Sequence, residues 1–268
     1  MGFTEKKIVK RPQKLAFAKA ILIDKWIQRI SIGSFLFTVS VTIVKSLNFT
    51  TDIYNSLMFI SIILTITISV LTILFNYLKT DAETERRKGL IENSFDLKIA
   101  QSASENYYDT DNINYGPKKL LATIHENCMY TRRISEKMIK KCSVKLLGMS
   151  IVLLICFFIG IAKVEIFDSI LQLFLSGIFL YEFIEILTLH LTTKKLEEES
   201  IIIWSTYNGE INNAFLAKAI EISIKYECAI TRANLILDEA IYKKYNAEIE
   251  TEWLEFRKRH SIFDENIN

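Results

Sequence analysis

"LMFISIILTITISVLTILFNYL", Leu57 to Leu78, carries no charged side chain over its whole length. A helix rises about 1.5 Å per residue, so a stretch of this size covers the ~30 Å hydrocarbon layer of a bilayer. Core helices of water-soluble proteins rarely go uncharged for so long, so the segment predicts a transmembrane helix. Three more segments fit the same description: Ile30 to Leu47, Leu146 to Ala162, and Ser169 to Leu189. Half of the 268 residues are apolar, and prolines number only two and glycines eight, which suits long helices in lipid. Strand-like alternation is nowhere sustained. The expected fold is an all-α membrane protein, with hairpins at 30–78 and 146–189.

Basic residues set the direction. Eight precede the first span, thirteen lie from Lys79 to Lys145, ten follow the fourth span, and only Lys45 and Lys163 fall near the short loops. The positive-inside rule therefore places both termini and the middle segment in the cytoplasm. The charges before Ile30 (Lys19, Asp24, Lys25 and Arg29) interrupt any apolar core of a cleaved signal. A multi-pass protein of a cell membrane is the expected localisation, with the lipid bilayer as its first partner.

The cytoplasmic pieces, 1–29, 79–145 and 190–268, read as one helical domain assembled from three segments. The first contains the amphipathic "KLAFAKAILIDKWIQRI". The second span should continue as a helix past Lys79 until "SASENYYDTDNINYGP" breaks it, and Pro117 should start the next helix. That helix puts Leu121, Ile124, Cys128, Ser135, Met138 and Cys142 near one face. The fourth span should run on through "TTKKLEEES", followed by one or two helices from about Ile211 to Tyr245 and a shorter one from Glu248 to Arg259.

Polar residues within the spans are candidate pore-lining positions. Ser61, Thr65, Ser69, Thr72 and Asn76 fall within an arc of about 80° at 100° per residue, as do Ser34, Thr38 and Thr42 of the first span. Such stripes serve either as seams where helices hydrogen-bond or as the wet wall of a conduit in a homo-oligomer. Glu182 and Glu185 share a face of the fourth span close to its cytoplasmic end. An ionised carboxylate there costs about 2 to 3 kcal/mol, so each must meet protein, water, a proton or a cation. His190, Lys194 and Lys195 are near enough along the chain to help. An acidic ring at the inner mouth of a cation-passing pore is the functional reading, and a helix end steadied by lysines the plainer one.

Chemistry beyond this is sparse. Cys128, Cys142, Cys156 and Cys228 form no CxxC pair, "HENC" from His125 lacks the second histidine of a zinc motif, and no phosphate-loop or serine-nucleophile motif occurs. An enzyme, a metal site and a resident cofactor are not expected, and near-neutral net charge argues against a DNA or RNA polymer as partner. One segment has the makings of an anion site. Tyr107 and Tyr108 precede Lys118 and Lys119 at a helix N-terminus, with Arg132 and Arg133 further along, so bases would stack and phosphates would meet cations.

"LIENSFD", Leu90 to Asp96, and the tail "LDEAIYKKYNAEIETEWLEFRKRHSIFDENIN" from Leu237 resemble the SMODS-associated four-transmembrane effectors. Ile91, Phe95 and Asp96 match that family's Ile-x-x-x-Phe-Asp element. Asp238, Ile241, Tyr242, Trp253 and Arg257 match its tail element. The resemblance implies a role in cyclic-oligonucleotide-based antiphage defence in a bacterial inner membrane, in which the cytoplasmic helices sense a cyclic oligonucleotide and the spans oligomerise or open. A constitutive ion channel or transporter and a membrane-anchored scaffold stay open beside it.

Overall fold

The computed structural model describes residues 13–46, 51–100, 110, 112–158 and 178–263. Among them all regular structure is helical: α1 (Gln13–Ser46), α2 (Thr51–Phe95), α3 (Pro117–Phe158), α4 (Ile178–Thr206), α5 (Asn213–Ala233) and α6 (Glu239–Arg259). Residues 159–177, which hold the end of the third expected span and the start of the fourth, lie outside the described set.

The long helices follow from where the breakers are. Between Pro12 and Pro117 there is no proline, and α2 continues for 45 residues until Asp96 turns the chain at φ 54°. A left-handed residue at that place ends a helix. Gly116, at φ 132°, closes the loop by donating its N–H to the Ser94 carbonyl at 2.7 Å, and Pro117 then opens α3 as expected.

The chain divides into two compact units. One comprises residues 16–80 and 140–184, and the other is centred on 81–139 and 185–268. In the first, Ser61, Leu64, Ile68, Leu71, Phe75 and Leu78 recur at alternating steps of four and three and are the partly buried or buried seam of α2. The other sides of α2 are bare: Ile73 is 71% and Tyr77 73% exposed. Among the described residues, α2 is the one helix long and apolar enough to cross a membrane, with a mean hydropathy of 2.6 in its most apolar window.

The second unit is a helical bundle with an apolar core of Leu90, Leu121, Ile124, Cys128, Leu196, Phe215, Ile222 and Trp253 among others. The face of α3 read from the sequence is the buried one, with Leu121, Ile124, Cys128 and Ser135 at 0% exposure. Ion pairs pin its rim. Arg86 grips Glu227 with both guanidinium nitrogens, at 2.9 and 2.5 Å, and Arg87 reaches the same carboxylate at 2.9 Å. Arg133 donates to Glu252 at 2.9 Å, joining α3 to α6.

The C-terminal helices differ from the sequence expectation. The break falls at 234–238, not between Tyr245 and Glu248, and α6 runs unbroken from Glu239 to Arg259. Asn234 takes a left-handed conformation at φ 42° and ends α5, while the Asp238 side chain accepts the N–H groups of Ala240 and Ile241 and starts α6. Helix continuity through Tyr245 costs nothing because no residue there prefers a turn.

Candidate functional site: charged helix bases and a basic groove

In the unit that holds the apolar half of α2, three helices bring charges together. Lys145 of α3 donates to Glu182 of α4 at 2.9 Å, with side-chain exposures of 25% and 29%. Asp24 of α1 stands in the same field. Burial raises its carboxyl pKa to about 6, the Glu182 charge pushes it the same way, and Lys145 opposes both. The Glu182 carboxylate has thus found its cation on α3, and none of the nearby groups on its own helix is that partner. His190 instead places Nδ1 3.2 Å from the Arg132 carbonyl. Glu185 keeps a buried Oε2 that meets no hydrogen-bond partner among the described residues.

The hydroxyl stripes bond to their own helices. Thr38 donates to the Ser34 carbonyl at 2.9 Å, Thr65 to Ser61 and Ser69 to Thr65 at 3.0 Å, and Thr72 to Ile68 at 2.8 Å. Such back-bonding satisfies the hydroxyl without a water or a second helix. Ser34 is buried, Ser61, Thr72 and Asn76 are half-buried, and Thr65 and Ser69 are exposed, so the stripe straddles the edge of the α2 seam. The Thr42 side chain lies outside the described residues.

In the bundle unit the expected anion loop is drawn into the fold. Tyr107 and Tyr108 lie outside the described residues. Lys118 is buried and donates to the Phe263 carbonyl at 2.9 Å. Lys119 sits 4.4 Å from the centre of the Tyr115 ring. Arg132 donates to Glu197 at 3.0 Å, and Arg133 is held by Glu252. All four cations are therefore engaged with protein groups and are not gathered around one point.

The residues behind the family resemblance are caps and core. Asp96 ends α2, and Asp238 starts α6. Phe95, Ile241 and Tyr242 pack against the apolar cluster, while Ile91 is 41% exposed. Trp253 and Arg257 are fully buried. Arg257 donates to the Asn112 side chain and lies 5.0 Å from the Phe263 ring, so it pins the 112–118 segment and the chain end to α6. Beside them His125 accepts the Trp204 indole N–H on Nδ1 at 3.1 Å, which fixes the neutral tautomer with its proton on Nε2. Burial holds its pKa down to about 3, and Trp253 and Phe256 present their rings edge-on to it. The sequence offered no sign of this histidine's role, because the partner lies 79 residues away.

A second feature absent from the sequence reading is a groove of about 550 Å³ between α4 and α5. Thr188, Leu189, Leu191, Thr192, Lys195, Leu196 and Glu199 form one wall, and Lys225, Cys228, Ala229, Arg232 and Ala233 the other. Lys225 is tied to Glu199 at 3.0 Å and to Glu221 at 2.8 Å. Lys195 and Arg232 are exposed and meet no carboxylate among the described residues. A signal did exist: Lys225, Ala229 and Arg232 recur at steps of four and three, one face of a helix.

Comparisons of the chain with protein-family models, with curated proteins and with solved structures return no match.

Proposed function

We propose that this chain is a four-span effector of a bacterial inner membrane, in which the cytoplasmic bundle binds a cyclic oligonucleotide made during phage infection and the spans then assemble or open to permeabilise the membrane. The observation that supports it best is helix continuity. α2, α3 and α4 each supply residues to both the apolar unit and the bundle, so a ligand that rearranges the bundle acts on helices that themselves enter the bilayer. Exposed apolar sides of α2 leave surface for lipid and for further copies of the chain.

Shifting a closed state from 1:99 to 99:1 open requires a ligand preference of about 5.5 kcal/mol for the open form. A multi-phosphate messenger meeting several cations supplies free energy of that order. A pore-free anchored scaffold is the second reading, favoured by the hydroxyls that bond to their own helices and by the Lys145 partner of Glu182.

Dye-loaded proteoliposomes test the proposal against a panel of cyclic oligonucleotides. Release that begins only when one of them is added supports it. Steady leakage without any ligand indicates a constitutive channel, and retention under every ligand indicates the scaffold.

A further inference from the structure

The groove between α4 and α5 has a polarity gradient along its length. Helices α4 and α5 run antiparallel, since Trp204 meets Phe215 near the connecting turn and Glu199 meets Lys225 further along. Thr192 and Arg232 lie equal numbers of residues beyond Glu199 and Lys225, so they face each other across the far end. The end near the turn is closed by the Lys225–Glu199 pair, whose charges cancel. The other end holds Thr188, Leu189, Leu191 and Thr192 with Arg232, and Lys195 stands about one helical turn from Leu191. That end continues directly from the apolar run Phe179 to Leu191.

We propose that this groove seats the headgroup of an acidic phospholipid. The phosphodiester would lie between Lys195 and Arg232, the hydroxyls of Thr188 and Thr192 would donate to its oxygens, and the ester and upper acyl region would rest on Leu189 and Leu191. The assignment rests on the membrane reading above, because it requires the apolar end of α4 to leave the bilayer near Leu191. A lipid fits better than a soluble phosphate compound: the two cations without carboxylate partners sit at the apolar, membrane-directed end. The end toward the turn, open to a soluble ligand, is neutralised.

Cys228 lines the groove and is exposed, whereas Cys128 and Cys142 are buried, so its thiol reports occupancy. The full chain in detergent, carrying Cys156→Ser, would be treated with a maleimide while phosphatidylglycerol or phosphatidylcholine is titrated into the micelles. Each cation near a phosphate contributes about fivefold in affinity, so phosphatidylglycerol should protect the thiol at roughly 25-fold lower concentration than phosphatidylcholine. Lys195→Gln/Arg232→Gln should abolish that difference. Lys195→Arg/Arg232→Lys should restore it, and near-UV circular dichroism would verify that the bundle is intact in both.

Equal protection by the two lipids, or protection unchanged in the glutamine variant, overturns the assignment. Protection by a cyclic dinucleotide but not by phosphatidylglycerol overturns it too, and makes the groove a messenger site. Should the chain prove soluble without detergent, the membrane reading itself fails, which is distinguishable from a groove that merely ignores lipid charge.

Discussion

Lys145 and Glu182 form an ion pair at 2.9 Å between α3 and α4, in the unit that holds the apolar part of α2. It explains how a carboxylate is carried by a span whose surroundings would otherwise reject it. Removing one partner of a sheltered pair costs more than removing both, because the survivor is left charged. Lys145→Met should destabilise the detergent-solubilised protein by about 2 kcal/mol, and Lys145→Met/Glu182→Gln by less. Thermal unfolding of both variants checks this; additive losses would mean that the two residues do not interact.

Asp24 gives the same unit a pH dependence. Its folded pKa is raised to about 6 from 3.8, chiefly by burial. The folded state therefore binds the proton more tightly than the unfolded chain does. Stability should rise as pH falls from about 6 toward 4 and be flat above 7. Asp24→Asn should remove that slope. Melting temperatures between pH 4 and 7.5 decide it, with unchanged slopes in the variant as the contrary result.

His125 acts in the opposite sense on the bundle. Its pKa, held down to about 3 by burial, means the unfolded chain protonates first, so the stabilisation is complete above pH 6.5 and is lost as pH falls below it. The expected slope is about 1.4 kcal/mol per pH unit. Trp204→Phe should cost about 1 to 3 kcal/mol beyond any packing loss, since it leaves the buried Nδ1 unpaired. Denaturant unfolding at pH 7.5 and 5.5 measures both.

The helix caps make separable predictions. Asp238→Ala should lose about 1 kcal/mol through the two N–H groups it satisfies at the start of α6. Asp96→Gly, at φ 54°, should be neutral or slightly stabilising, because glycine enters the left-handed region without strain. A large loss at Asp96 would assign its carboxylate a role that capping does not explain.

Much of the helical layout was legible from local signals. Charge-free length gave α2, proline and glycine gave the start of α3, and the buried face of α3 followed from spacing. The α5–α6 boundary was misplaced because Asn234 acts through a left-handed backbone and Asp238 through a single cap, both weak marks against the apolar "LIL" between them. Pairings such as Lys145 with Glu182, Arg86 with Glu227 and Trp204 with His125 join distant segments. No periodicity records them. The lysines and arginines of the expected anion loop were recognisable as cations, but only packing decides whether a cation faces a carboxylate, a ring or a ligand.

The central claim is that the apolar part of α2 crosses the bilayer with its charged extension inside. Single cysteines at Asp52 and Thr80, in a chain otherwise cleared of cysteine, would be challenged in intact cells with a membrane-impermeant maleimide. The account predicts that position 52 is labelled from outside and position 80 only after the membrane is opened. Labelling of both from the same side would contradict it.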